Sequence, residues 1–148
     1  MVSFSVGMTF IYGGISAGFA FNAIVWFFGI IAALIDLGEE IAADSMDMQG
    51  DLLINSNSIA IRYGRQAALR LSGFIFLMVI LLLFVPFLIG WFRIVHLMPI
   101  MIMISAIGYS ALRLLRSKNE EGRKYIRWIY LGSTLGLLIF IIMSLFGV

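Results

Sequence analysis

With 62% hydrophobic and only 12% charged side chains among 148 residues, and a mean hydropathy of +1.07, this chain falls outside the range of soluble domains, in which about a quarter of residues are charged. The absence of cysteine excludes disulfides, thiolate metal sites and cysteine nucleophiles. A net charge of +2 hides an asymmetry, with acids gathered in the first third and bases in the last two, and no nucleic-acid partner is expected.

Four stretches lack charged residues: 1–35, 71–92, 94–112 and 128–148. Each of the last three approaches the roughly 20 apolar residues that cross a bilayer as a helix. A single helix over 1–35 would run about 50 Å, against a hydrocarbon core of about 30 Å. The run GGISAG (Gly13 to Gly18) offers a place to turn. The expected fold is therefore all-α: one integral membrane domain over 1–148, a bundle of about five transmembrane helices with the first pair short and closely connected. No basic n-region precedes the first apolar segment, so no cleavable signal peptide is expected. Gly7, Gly13, Gly14 and Gly18 suit close helix contact.

After the first apolar stretch come six of the eight acids: Asp36, Glu39, Glu40, Asp44, Asp47 and Asp51, with no Lys or Arg before Arg62. On a helix turning about 100° per residue, Asp36, Glu40, Asp44, Asp47 and Asp51 share an arc of about 80°. Ala42 and Ser45 lie opposite. Carboxylates at such spacings repel one another, so a positive partner must come from outside the segment. Oxygen-only ligands suit magnesium, which keeps several waters and bridges one or two carboxylates to a substrate phosphate. Pairing with basic residues elsewhere, such as Arg62 or Arg65, is the structural alternative. Asn55, Ser56 and Asn57 then allow the chain to return. Arg62 and Arg65 are placed either to meet the anionic part of a metal-bound ligand or to anchor the following span.

The segment 36–70 holds three basic residues and 113–127 holds six, whereas the connection between the middle spans holds only Arg93. The bias of Lys and Arg toward cytoplasmic loops puts the acidic segment (36–66) and the basic loop (113–127) on the cytoplasmic face of the cell membrane in a multi-pass topology. Arg123, Lys124 and Arg127 serve as the topology signal or contact phosphate. His96 lies beside Trp91 and Arg93 near the outer surface, where a lone histidine is expected to snorkel or hydrogen-bond, and no chemistry is assigned to it.

The order Glu40-Ile41-x-x-Asp44-x-x-Asp47-x-x-Gly50-Asp51, followed by Ser58 and Gly64, resembles the second aspartate-rich motif of the UbiA superfamily of intramembrane prenyltransferases. The likeness is greatest to its archaeal digeranylgeranylglyceryl phosphate synthase branch, and "SFSVGMTFIYGG" looks like that branch's fifth helix. In this register the chain aligns with the C-terminal half of a nine-helix fold, its helices five to nine. The resemblance implies magnesium-dependent transfer of a polyprenyl group from a prenyl diphosphate to a lipophilic acceptor, geranylgeranylglyceryl phosphate-like or aromatic, within membrane lipid. It implies Asp47 and Asp51 as the metal-binding pair, Asp44 as a third participant and Glu40 as a further acid, all four as metal ligands and the three aspartates as catalytic. Arg62 and Arg65 would then meet the diphosphate.

Several positions depart from the family pattern. Glu39 stands where a basic residue is frequent, Ala43 where Lys is common, Leu52 and Leu53 where basic residues often follow, and Asn55 where Gly is usual. The first aspartate-rich motif is not in these residues, so an N-terminal half or partner subunit is expected to supply it, and the isolated chain is expected to be inactive. Two other classes fit the composition. One is a non-enzymatic membrane subunit that binds or passes divalent cations, although the later spans offer little polarity beyond Ser105, Ser110, Ser133 and Thr134. The other is a degenerate structural homologue.

Overall fold

The computed structural model describes residues 2–48, 50, 57–117 and 121–147. Its helices are α1 (Val2–Ser16), α2 (Ala23–Met46), α3 (Ile59–Tyr63), α4 (Arg65–Leu82), α5 (Val85–Leu88), α6 (Leu97–Arg116) and α7 (Glu121–Leu145), with a 3-10 turn at Ile94–His96 before α6. No strand occurs among the described residues. The fold is all-α as expected, with α1, α2, α4, α6 and α7 standing where about five transmembrane helices were expected.

Among the described residues, three segments are long and apolar enough to cross a membrane: Arg65–Leu88, Ile94–Arg116 and Glu121–Leu145. The first pair differs from these for two separate reasons. α1 has 15 residues, about 22 Å of rise, which is short of a hydrocarbon core. α2 has 24 residues, but its second half carries Asp36, Glu39, Glu40 and Asp44. The acidic run continues the apolar stretch as one helix, in keeping with the helical phase read for its acids, and α2 ends at Met46 with Asp47 as its C-cap.

α2 is the central element, packing against α1, α4 and α7, while α4 packs on α6 and α6 on α7. Asn22 caps its start by accepting from the Ile24 N–H at 2.8 Å. The approach of α1 depends on two glycines. A Cβ at Gly7 would lie 2.8 Å from the Gly29 carbonyl oxygen, and one at Gly29 would lie 3.1 Å from that of Gly7. Phe76, Leu69, Val79, Ile100, Ile107, Leu114 and Ile129 fill the space between α2, α4, α6 and α7. Within this core the Ser72 hydroxyl donates to the Gly38 carbonyl at 2.7 Å, fastening α4 to α2.

The end of the bundle reached by residues 87–97 is closed by rings. Phe92 lies 4.8 Å from Phe140 and 5.9 Å from Phe28 between centroids, and His96 lies 4.9 Å from Phe140. His96 is buried, with its Nδ1 lacking a partner among the described residues. It does not snorkel outward as expected, because the 3-10 turn folds it back under Phe92. The opposite end carries the charge. There α6 continues to Arg116 and α7 begins at Glu121, so most of the expected basic loop is helix end.

Candidate functional site

The second half of α2 buries Ile35, Gly38, Ile41, Ala42 and Ser45. That choice of buried face turns the acids away from the core, as the helical phase requires. Asp36, Glu39, Glu40 and Asp44 are half-buried, and Asp47 is exposed. Asp47 ends the helix, its N–H donating to the Ala43 carbonyl at 3.1 Å.

The acids do not share one environment. Glu40 faces α1 and accepts from the buried Ser3 hydroxyl at 2.8 Å. Asp47 is paired with Arg123 near the start of α7. The positive partner that the acidic stripe demanded is thus supplied, at one position, by the chain itself from 76 residues away. Both side chains remain more than half exposed, at 61% for Arg123 and 58% for Asp47. Asp51 lies outside the described residues.

Arg65 leads α4 and reaches the same end of the bundle. Its Nη2 donates to the Ser117 carbonyl at 3.0 Å and approaches the Met46 sulfur at 3.4 Å, so one guanidinium ties together the ends of α2, α4 and α6. Its buried Nε has no partner among the described residues. Gly64, with φ of 86°, makes the bend that separates α3 from α4 and presents Arg65 there. Arg62 is exposed in the last turn of α3. The structure therefore brings Asp47, Arg65 and Arg123 to one end and places Asp44 one turn back, while Glu40 is turned toward α1.

Two acids do something that the sequence did not reveal. Asp36 and Glu39 border a cavity of about 380 Å³ walled by Phe10 of α1, Phe28 and Ile31 of α2, Met103 of α6, and Ser133 and Leu137 of α7. One oxygen of each carboxyl, Asp36 Oδ2 and Glu39 Oε1, is buried without a hydrogen-bond partner among the described residues. Glu39 attracted notice in the sequence only as an acid where a base was expected. Its helical phase, about 60° from Asp36, was the signal for a shared wall.

Among the described residues no three His, Asp or Glu side chains converge to hold a metal ion. Magnesium needs only one or two protein carboxylates when waters and phosphate oxygens complete its shell, so a carboxylate-only end of this kind has the donor chemistry for it without a cage of three.

These features define a helical membrane protein with an acidic, arginine-flanked end above an apolar cavity. Comparison with known proteins gives its relatives. The chain is 33% identical to the digeranylgeranylglyceryl phosphate synthase of Methanococcus aeolicus, over 98% of this chain and 51% of that protein. It is 33% identical to that of Methanococcus vannielii, over 99% and 52%, and 31% identical to that of Methanopyrus kandleri, over 95% and 51%. The chain is a homologue of these synthases, and the UbiA-type resemblance carried by residues 40–51 extends over almost all of it. It spans about half the length of the curated relatives it matches, consistent with a C-terminal half. No family model and no solved structure matches.

Proposed function

We propose that this chain is the acid-bearing half of a magnesium-dependent prenyltransferase, which moves a polyprenyl group from a prenyl diphosphate to a lipophilic acceptor. The observation that carries this reading is that one helix, α2, carries Asp44 and Asp47 toward its end and, two to three turns earlier, lines an apolar cavity with Asp36 and Glu39. Names of relatives that cover nearly all of the chain support the reaction class.

In this reaction the bond between the allylic carbon and its diphosphate oxygen breaks, and the electron pair leaves with the diphosphate. The acceptor hydroxyl oxygen, or a ring carbon, then bonds to that carbon and releases a proton. Magnesium, when bound, offsets the charge that develops on the departing diphosphate. Asp47 and Asp51 would hold it as a pair, with Asp44 one turn before Asp47 as a third participant. Arg123 exchanges its exposed pair with Asp47 for a phosphate oxygen, an inexpensive rearrangement because such pairs are worth about 0–1 kcal/mol. Arg65, already fixed at this end, and Arg62 face the same anion. The apolar walls hold the isoprenoid and keep water from the allylic cation. By the distribution of Lys and Arg, this end faces the cytoplasm in a multi-pass protein. An N-terminal half carries the remaining aspartate-rich segment, so the isolated chain is inactive.

Magnesium-dependent binding of a long-chain prenyl diphosphate tests this directly, using the purified chain alone and together with the N-terminal half of the Methanococcus aeolicus relative. Binding should need both halves and fall by at least about thirtyfold in Asp47→Ala, as expected when one partner of a buried or bridged charge is lost. Prenyl transfer by the isolated chain, or binding indifferent to Asp47 and Asp51, would refute it.

A further inference from the structure

The charge at the ends of α6 and α7 has a local order of its own, apart from the contacts of Asp47, Arg65 and Arg123. Small residues fix the antiparallel register of the two helices. A Cβ on Gly132 would collide with that of Ala106, and one on Gly122 would lie 3.1 Å from the Ser117 hydroxyl oxygen. Between these points Tyr109 meets Trp128, with ring centroids 6.4 Å apart. In this register Arg113 stands opposite Tyr125, with which it interacts electrostatically, and Lys124 is the neighbouring residue on α7.

Helical phase decides which side of the seam each residue takes. At about 100° per residue, Tyr109 and Arg113 lie within about 60° of Ala106 on α6, and Trp128 and Lys124 within about 80° of Gly132 on α7. The contact between Tyr109 and Trp128 puts both pairs on one side. Arg127, about 140° from Gly132, is turned away from the seam. The Arg113 guanidinium is held in place: its carbon lies 5.6 Å from the Tyr109 ring centroid, and its Nε donates to the Tyr109 hydroxyl at 3.3 Å.

Neither Arg113 nor Lys124 is paired with a carboxylate among the described residues, although both are exposed. Glu121 is the described acid on this side, one turn before Lys124, and it too makes no ion pair among those residues. Across 113–127 six bases stand against two acids, so the hairpin end carries a positive excess.

Depth identifies what answers that excess. Tyr109 and Trp128, 50% and 52% exposed, lie where the charge-free stretches 94–112 and 128–148 give way to charge. Aromatic residues favour this boundary. Deeper along the same face Leu131 and Leu135 are exposed. An apolar strip, then an aromatic pair, then two cations is the order of a lipid's chains, boundary and phosphate. An acidic peptide or a free phosphate would meet the cations alone. A choline head would bring its own cation against Arg113 and Lys124, whereas a head with net negative charge would not.

We propose that the lipid-facing seam between α6 and α7 binds an anionic phospholipid as a retained, unreacted ligand. Arg113 and Lys124 hold its phosphate, Tyr109 and Trp128 lie at its polar–apolar boundary, and its chains follow Leu131 and Leu135. The site stands on this helical hairpin alone and does not depend on the prenyltransferase reading.

The test places the full 148-residue chain in nanodiscs of phosphatidylglycerol and phosphatidylcholine in equal parts, and native mass spectrometry counts the lipids that stay bound on release. Phosphatidylglycerol should be retained over phosphatidylcholine by about tenfold or more, and Arg113→Gln and Lys124→Gln should each cut that preference about fivefold, the effect of one cation near a membrane surface. Glu121→Gln should raise it. Arg70→Gln is the charge-matched control, because Gly73 meets Leu115 and Ile80 meets Gly108, which puts α4 on the side of α6 turned away from Arg113. It should change the preference by less than about twofold, since distant exposed charges are screened. All four side chains are exposed, where substitutions disturb folding little. Equal retention of the two lipids by the parent chain overturns the proposal. So does a preference that Arg113→Gln and Lys124→Gln leave intact, or one that Arg70→Gln lowers as much as they do, which would make it the diffuse field of a basic end.

Discussion

The two ends of the bundle solve opposite problems. At the aromatic end, Phe28, Phe92, Phe140 and His96 bring rings together between α2, α6 and α7, beside a second cavity of about 360 Å³. At the charged end, Asp47, Arg65 and Arg123 are held by long-range contacts, and between the two ends Asp36 and Glu39 are left facing a cavity. The first arrangement is held mainly by apolar burial, with the His96 Nδ1 as its unpartnered buried polar atom among the described residues. The second leaves carboxyl oxygens unsatisfied, which is what stability alone would remove and a binding site would keep. Stability should therefore reside in the aromatic end and ligand response in the charged end.

The largest effect expected from breaking this division is at Phe140. Its ring contacts Phe28, Phe92 and His96, so Phe140→Ala should lower stability by about 3–5 kcal/mol, seen as a drop in Tm in detergent micelles. The loss should not depend on magnesium. Next is the α1–α2 contact, where Gly7→Leu has no room against the Gly29 carbonyl. Overpacking of this kind costs about 1–3 kcal/mol. Because α1 also carries Ser3, which holds Glu40, the same variant should release that carboxylate and make residues 36–47 more open to proteolysis.

The legible and illegible parts of this molecule divide along the same line. Helical phase and the absence of Lys or Arg before Arg62 were enough to read an acid-bearing face on α2, and the buried Ala42 and Ser45 lie opposite it as expected. The three later spans and the turn after the first glycine-rich run were legible because bilayer thickness limits helix length, whereas α1 and α2, expected as a further pair of spans, are not among the helices long and apolar enough to cross. Arg123 was not assignable to Asp47, since nothing in a sequence fixes which residues meet across 76 positions. Ser133 and Thr134 read as incidental polarity within a span, because their meaning depends on the opposite wall. His96 was misplaced because its neighbours in sequence are interfacial, whereas its neighbours in space are rings.

A smaller effect should come from the hydrogen bond that crosses the core between the two ends. Ser72→Ala removes the donor to the Gly38 carbonyl but leaves no cavity larger than a hydroxyl. Interhelical hydrogen bonds within membrane proteins average about 0.6 kcal/mol, and a loss of that size is expected in the same unfolding assay. A loss several times larger would mean that this bond sets the register of α4 on α2, and thereby the position of Arg65.

The smallest effect on stability is expected at Arg123, and it distinguishes the two ends most sharply. An ion pair with both partners more than half exposed should be worth at most about 1 kcal/mol and be screened at physiological salt, where the Debye length is about 8 Å. Arg123→Gln should therefore leave Tm almost unchanged, and raising the salt should make the variant and the parent indistinguishable. Its effect on ligands should go in opposite directions for two probes. Without diphosphate, removing the cation that neutralises Asp47 should raise affinity for magnesium; with diphosphate, losing a phosphate contact should lower it. A variant that weakens both would place Arg123 in the scaffold with Arg65. One that strengthens both would make it only a competitor for the metal. Opposite responses would show that the charged end exchanges partners on binding, which the ring-filled end, with no exposed charge pair among its described residues, has no means to do.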